Sequence, residues 1–244
     1  MEYFQFKKFK VKNVASAMKL GTDSVLLGAW TPLHGDERRI LDVGTGTGVV
    51  ALMIAQRLPS LDGVRIDAID IDLPSVEEAS HNFAISPWSG ALRAIHVPLQ
   101  DLVAQPYDLI VSNPPYFVDS LKAPSARRSN TRHSDSLPHR DLIASAFSHL
   151  KQGGRMVVIL PKEEGEAFIR DAELFHIGRA LPVRLQLSRL CKVSTVSRKP
   201  PKRYIMEFVL LSVNESSEPL MTESISMNGD QGYVDLLCDY LITL

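Results

Sequence analysis

Three observations predict an α/β fold, a doubly wound and mostly parallel sheet with helices on both faces. Short apolar, strand-like runs alternate with helix-like stretches from Arg39 to Leu160, the pattern of consecutive βαβ units. One run, Arg39-Ile40-Leu41-Asp42-Val43, ends in Gly44-Thr45-Gly46-Thr47-Gly48 ahead of a helical pattern. Another, Tyr107-Asp108-Leu109-Ile110-Val111, leads into Asn113-Pro114-Pro115-Tyr116. That places a polar, proline-stiffened tetrapeptide at a strand's carboxyl end, where open α/β sheets bind ligands.

The elements follow in order. Residues 1–30 read as an N-terminal cap, in which Met18–Asp23 is a polar turn feeding a short apolar helix that ends at Trp30. After the strand at Arg39–Val43, Val49, Val50, Leu52, Met53, Ala55 and Leu58 recur at helical spacing until Pro59 stops them. Val64–Ile69 is the next strand and ends at Asp70; a helix begins near Pro74. Arg93–Val97 and Tyr107–Val111 are further strands. The polar stretch Asp119–His139 is long enough to suggest a substrate lid that orders on its ligand. Asp141–Leu150 and Glu163–Glu173 read as helices, with Arg155–Leu160 a strand between them. Leu181–Leu187 and Tyr204–Ser212 read as strands, with Lys192–Pro201 a basic, hairpin-like excursion. Residues 214–228 look polar and irregular, and Tyr233–Leu244 reads as a closing helix. With no repeat or linker, residues 1–244 read as a single domain: 1–30 the cap, 38–160 the core, 161–244 further sheet and helix elements.

The glycine turn permits close ligand approach. Its spacing is G-x-G-x-G rather than the dinucleotide G-x-G-x-x-G, and Asp42 precedes it, which favours a ligand without phosphates. Asp70, about 20 residues beyond the glycines, is placed to grip ribose hydroxyls, while Asp72 suits the N-cap of the following helix. Gln100 and Asp101 either contact an adenine edge or cap a turn. In the tetrapeptide, Asn113 offers a side-chain carbonyl, Pro114 and Pro115 lack N–H donors and leave carbonyls unpaired, and Tyr116 offers a flat ring. The lone pair of an aromatic or amide NH2 is delocalised. Acceptors on its two N–H bonds, assigned here to the Asn113 side chain and the Pro114 carbonyl, draw the nitrogen toward tetrahedral geometry as it attacks. Tyr116 would stack on the ring that carries the amine, a contact worth ~1–3 kcal/mol per base. The arrangement suits methylation of an exocyclic amine.

Bulk properties narrow the classes. No apolar run among the 244 residues spans a bilayer, and the N-terminus alternates aromatic and basic residues rather than showing a leader pattern. Cys191 and Cys238 form no metal pattern, and His96, His133, His139 and His149 show no ligand spacing, so no metal and a reducing cytoplasm are expected. Net charge is −1, which argues against a uniformly basic nucleic-acid binder. Its distribution says more. From Asn214 onward there are six acids and no Lys or Arg, so residues 1–213 carry 27 bases against 22 acids. The bases cluster at Lys7, Lys8, Lys10 and Lys12, at Arg127, Arg128, Arg132 and Arg140, and from Lys192 to Arg203. Clusters of this kind track a phosphate backbone; each taken alone is more often solvated loop charge.

Asp42–Gly48 resembles the first motif of class I S-adenosylmethionine-dependent methyltransferases, which have a Rossmann-like fold, and Asn113–Tyr116 resembles their amino-methylating motif. Phe4–Val11 and Ala17–Trp30 resemble the N-terminus of the bacterial tRNA1(Val) adenine-N6 methyltransferases, and the likeness extends through Ser86-Pro87-Trp88 to Gln231-Gly232-Tyr233. The resemblance implies S-adenosyl-L-methionine as cofactor and adenine 37 in the tRNA anticodon loop as target. It implies a cofactor-facing role for Lys19, Gly21 and Thr22, and for Asp42, Gly44, Gly46, Gly48, Asp70 and Asn113. Related proteins can carry an acid nearer the end of the strand that here continues Val97-Pro98-Leu99, which leaves Gln100 or Asp101 as the substitute. Two other readings stay open: the same chemistry on a protein glutamine, an rRNA base or DNA, and a noncatalytic RNA-binding protein that keeps the fold.

Overall fold

The computed structural model describes residues 2–115, 137–216 and 218–243. An antiparallel hairpin, β1 (Tyr3–Gln5) and β2 (Lys10–Lys12), precedes α1 (Thr22–Trp30). Alternation then sets in: β3 (Arg39–Val43), α2 (Val49–Arg57), β4 (Arg65–Asp70), α3 (Leu73–Ala84), β5 (Leu92–His96), a 3₁₀ turn at Leu99–Asp101, and β6 (Tyr107–Ser112). The chain resumes with α4 (His139–His149), β7 (Leu150–Pro161), α5 (Lys162–Phe175), a 3₁₀ turn at Ile177–Arg179, β8 (Val183–Val196), β9 (Arg203–Ser212), β10 (Met221–Asn228) and α6 (Gln231–Leu237).

Eight strands form one sheet in the order β10-β8-β9-β7-β6-β3-β4-β5, and only β9 runs against its neighbours β7 and β8. The apolar runs read as strands because alternate residues serve two buried faces. On β3, Ile40 packs with α1, α2 and α3, while Leu41 and Val43 pack with α4 and α5. Leu109 and Val111 against Ile110 on β6, and Val157 and Ile159 against Met156 and Val158 on β7, divide the same way. Strand order reverses between β3 and β6, so the carboxyl ends of these two central strands open a crevice that carries the glycine turn on one side and Asn113 on the other.

Four sequence expectations change. β8 continues to Val196 instead of ending at Leu187, so Lys192 lies in a strand and the basic excursion shrinks to the turn after Val196. Residues 214–228 are not wholly irregular: Met221–Asn228 pairs in parallel with β8. As an edge strand it buries little beyond Ile225 and Ser226, which is why it reads as polar. β7 begins at Leu150, five residues early, and its pairing with β6 slips between Tyr107 and Leu109. The closing helix is displaced to Gln231–Leu237, started by Asp230, whose side chain accepts from the Gly232 N–H at 2.8 Å. The lid expected over Asp119–His139 lies outside the described residues up to 136. No helix among the described residues is long and apolar enough to cross a membrane.

Two polar networks fasten the segments around the sheet. At its amino end, buried Arg155 donates to Glu37, to Glu207 at 2.9 Å and to the Pro32 carbonyl at 2.8 Å, which ties the approach to β3 onto β7 and β9. Toward the carboxyl end, Glu78 and Asn82, one turn apart on α3, hold the N-terminal segment. Glu78 accepts from the N–H groups of Val14, Ala15 and Ser16 at 2.7–2.8 Å. Asn82 accepts from the Lys12 N–H at 2.7 Å and donates to the Thr47 carbonyl at 2.9 Å, joining that segment to the glycine turn.

Candidate active site

The glycine turn is shaped by its own backbone and by β4. Gly44, Gly46 and Gly48 all have left-handed φ, at 69°, 54° and 81°. The N–H groups of Gly44 and Thr45 donate to the Ile69 carbonyl at 2.9 and 3.0 Å, and the Gly46 N–H donates to Asp70 Oδ2 at 2.9 Å. A side chain at Gly48 would strike the Phe83 ring, with 2.5 Å from its Cβ to the nearest ring carbon. A Cβ on Gly44 would meet nothing within 4 Å, because Gly44 faces an open cavity.

That cavity has a volume of about 620 Å³, in the size range of small-molecule sites, ~300–1,000 Å³. Its lining includes Asp70, Ile71 and Gln100, Ala17 and Met18, and Pro114 and Pro115. A narrower cleft next to it is lined by Lys19, Ser24, Asp42, Gly46 and Asn113.

Two acids sit at the strand ends. Asp42 is buried and accepts a hydrogen bond from the Thr45 hydroxyl at 2.7 Å. Burial pushes its carboxyl up to about 7; the Asp70 charge adds to the shift and the Thr45 hydroxyl opposes it. Asp70 is also raised by burial, against hydrogen bonds from the Asp72 and Gly46 N–H groups. Each Asp70 oxygen keeps a further lone pair for a ligand hydroxyl. Asp72 caps α3, accepting from the Ser75 N–H at 3.0 Å and the Ser75 hydroxyl at 2.6 Å.

Asn113 leaves β6 at its carboxyl end and is only 7% exposed. Its amide NH2 donates to the Ser24 hydroxyl at 2.9 Å. Its Oδ1 is buried and has no partner among the described residues. A buried acceptor without a donor costs free energy, about 1–3 kcal/mol, unless a ligand completes it. Beside it, Pro114 and Pro115 line the cavity and have no N–H to offer.

The structure therefore gathers Lys19, Asp42, Gly44, Gly46, Asp70, Gln100, Asn113, Pro114 and Pro115 around one connected crevice. Gln100 reaches it while its amide donates to Asp141 on α4 at 2.7 Å. Asp101 is exposed and does not line the cavity; the 3₁₀ turn at Leu99–Asp101 carries it past the mouth. Gly21 and Thr22 also fall outside the lining: Gly21 is the N-cap of α1 and Thr22 its first residue. Gly48 shapes the turn and touches Phe83. Tyr116 lies outside the described residues. Sequence reading missed Ser24, Glu78 and Asn82. The last two had a signal, polar residues at i and i+4 interleaved with the buried face of α3; Ser24 had none.

The basic clusters separate. The β8–β9 turn, with exposed Arg198, Lys199 and Lys202, projects past Pro161, at the same strand ends as Asn113. At its base Arg203 donates to Asp23 on α1 at 2.8 Å. Arg140 lies in the first turn of α4, one residue from Asp141, which bonds Gln100. The tip of the β1–β2 hairpin lies elsewhere: Lys7 bonds the carbonyls of Cys238 and Tyr240, and Asp239 between them touches Gln56 in the last turns of α2. Lys7 and Lys8 therefore sit toward the amino end of the sheet, away from the crevice, while Lys10 and Lys12 lie on β2, where Lys12 is joined through Asn82 to the glycine turn. Arg127, Arg128 and Arg132 lie outside the described residues.

Residues 8–173 match the methyltransferase small domain family. The tRNA1(Val) (adenine(37)-N6)-methyltransferase of Flavobacterium psychrophilum is 45% identical over 71% of this chain and 74% of its own length. The protein of the same name from Bacteroides thetaiotaomicron is 38% identical over 99% of this chain and 98% of its own. Among solved structures, P. horikoshii TYW2 in complex with MeSAdo superposes with a TM-score of 0.58 at 15% identity, covering 86% of this chain and 70% of that one. A T. thermophilus 16S rRNA N2 G1207 methyltransferase in complex with AdoMet and guanosine does so at 0.53 and 18%, covering 85% and 50%. Such distant likenesses show the fold alone. The near-complete match to curated relatives goes further: this chain belongs to the methyltransferase small domain family and, within it, to the tRNA1(Val) (adenine(37)-N6)-methyltransferases.

Proposed function

We propose that this protein transfers the methyl group of S-adenosyl-L-methionine to the exocyclic N6 of adenine in tRNA, at adenine 37 of tRNA1(Val). One observation carries the chemistry: the Oδ1 of Asn113, buried in the narrow cleft with no partner among the described residues, next to two prolines without N–H donors. An amine with two N–H bonds completes that acceptor set.

The cofactor fits the residues present. Gly44 leaves open space where a side chain would intrude, Asp70 has acceptors for ribose hydroxyls, and Gln100 suits the adenine edge. Lys19, Asp42 and Gly46 line the adjoining cleft. Bound there, S-adenosyl-L-methionine supplies a methyl group on a positively charged sulfur. The protein's own part is alignment and electrostatics. Asn113 Oδ1 and the Pro114 carbonyl take the two N–H bonds of the adenine amine and return its lone pair to nitrogen, a stabilisation that grows toward the transition state. Tyr116 stacks on the target base, which an anticodon loop releases at little cost.

Substrate docking is assigned to the β8–β9 turn and Arg140, together with Arg127, Arg128 and Arg132, and not to Lys7 and Lys8. Residues 1–244 act as one methyltransferase domain, working in the cytoplasm where tRNA is modified, and none of these roles calls for a metal.

The test is methyl transfer from labelled cofactor to bulk tRNA lacking this modification, with nucleoside analysis. Label in N6-methyladenosine is expected, and Asn113→Ala abolishes it while cofactor affinity stays within about threefold. Label only in rRNA, DNA or protein glutamine overturns the substrate; undiminished turnover in Asn113→Ala overturns the role of the amide.

A further inference from the structure

An asparagine amide is nearly symmetric in shape, so burial alone does not decide which end faces a ligand. For the chemistry proposed above the choice is decisive. The carbonyl oxygen facing the amine gives an acceptor; the NH2 in its place gives two N–H groups pointing at two others. Something must hold the amide in place so that its oxygen can meet the amine.

The only side chain among the described residues that bonds the Asn113 amide is Ser24, whose hydroxyl accepts from Nδ2 at 2.9 Å. The bond leaves Oδ1 buried and without a partner among the described residues. Ser24 lies in the first turn of α1 and lines the same narrow cleft as Asp42, Gly46 and Asn113. Its place is fixed from two sides. Val25, Leu26 and Leu27 anchor the helix in the core, and the neighbouring Asp23 accepts from Arg203 at the base of the basic β8–β9 turn at 2.8 Å.

We infer that Ser24 is a positioning residue for the methyl-transfer reaction: it holds the Asn113 amide in place so that its carbonyl oxygen can meet the substrate amine, from a helix turn tied to the basic hairpin. The inference rests on the amine-methylating role of Asn113. A hydroxyl can accept from Nδ2 or donate to Oδ1, so Ser24 tethers the amide and the two N–H bonds of the substrate amine select the flip in which Oδ1 faces them; a methyl can do neither. In Ser24→Ala the buried amide loses its tether.

The experiment compares wild type, Ser24→Ala and Ser24→Thr, with tRNA methylation and calorimetric cofactor binding, and reads the Asn113 side-chain NH2 resonances in asparagine-labelled protein by NMR. In Ser24→Ala, kcat is expected to fall on the order of tenfold to a hundredfold, with tRNA KM and cofactor affinity within about twofold. The Asn113 NH2 pair shifts and loses protection, and Ser24→Thr restores most of both. A kcat within twofold of wild type in Ser24→Ala, or an unchanged Asn113 NH2 pair, overturns the inference. So does a loss of cofactor affinity and thermal stability that parallels the loss of rate, since that is what a merely structural serine would give. If wild type methylates no tRNA, the substrate reading fails by itself, and the NH2 resonances still decide whether Ser24 holds the amide.

Discussion

At the scale of single residues, the site depends on polar atoms kept out of water. Asn113 Oδ1 is buried with no partner among the described residues, and Asp42 is buried with the Asp70 charge nearby. Burial of Asp42 has a consequence in pH. Its carboxyl is pushed up to about 7, so below that value the free protein holds a proton there. A cofactor carrying a sulfonium and an ammonium favours the carboxylate, and binding must then expel the proton. Cofactor affinity should fall as pH drops through about 7, by at most about tenfold per pH unit. In Asn113→Ala the slope should persist; in Asp42→Asn it should vanish. Calorimetry near pH 6 and near pH 8 checks this, and an equal slope in Asp42→Asn would remove Asp42 from the binding site.

At the scale of elements, α3 does two jobs. Its first turn, capped by Asp72, forms one wall of the cavity, and its middle holds the N-terminal segment through Glu78 and Asn82. Burial alone would raise the Glu78 carboxyl, but the N–H groups of Ala15, Ser16 and Val14 outweigh it and hold the pKa below 4.5. A depressed carboxylate stabilises the fold fully above its ordinary value and loses that contribution as pH falls through the lower folded value. Glu78→Ala strips three backbone donors of their acceptor. It should cost about 2–4 kcal/mol and remove most of the stability that is lost as pH falls below the ordinary carboxylate range. Denaturant melts of wild type and variant across that range test it; parallel pH profiles would show that the anchor lies elsewhere. Because Ala17 and Met18 follow directly on the anchored residues, cofactor affinity should fall with it.

At the scale of the molecule, the strand directions decide where charge meets chemistry. β8 runs parallel to β7, and only β9 reverses, so the turn between β8 and β9 emerges at the same sheet end as Asn113. The β1–β2 hairpin tip points the other way, beside Tyr240. Combined Arg198→Ala and Lys199→Ala should therefore raise the tRNA KM and lower the slope of log affinity against log salt by about one to two. Lys7→Ala with Lys8→Ala should change the slope by less than half of that. Binding titrations over a range of salt decide between them, and an equal effect of the two pairs would mean that the RNA wraps both ends of the sheet.

Much of this was legible in the chain itself. Apolar runs bounded by glycine, proline and acids located β3 to β6 to within a residue or so, because each buried strand declares itself locally. The glycine turn, Asp70 and Asn113 fell into place because strand ends and turn chemistry are local too. Gln100 was legible only as one of two options, and the structure separates it from Asp101 by a single 3₁₀ turn. Other features lay beyond any local pattern. β10 is an edge strand that buries few side chains, so it carries no apolar alternation, and the reach of β8 depends on the partners that pair with it. Ser24 and Asn113 stand 89 residues apart, and Arg203 and Asp23 stand 180 apart. A lone serine and an ordinary ion pair leave no periodic trace, and the tether of an amide is whatever the fold brings against it. Strand patterning and turn chemistry along the chain specify the sheet, the turn and the acceptor; what tethers that acceptor and which basic surface stands beside it come only from tertiary packing, because both follow from contacts between segments far apart in the chain.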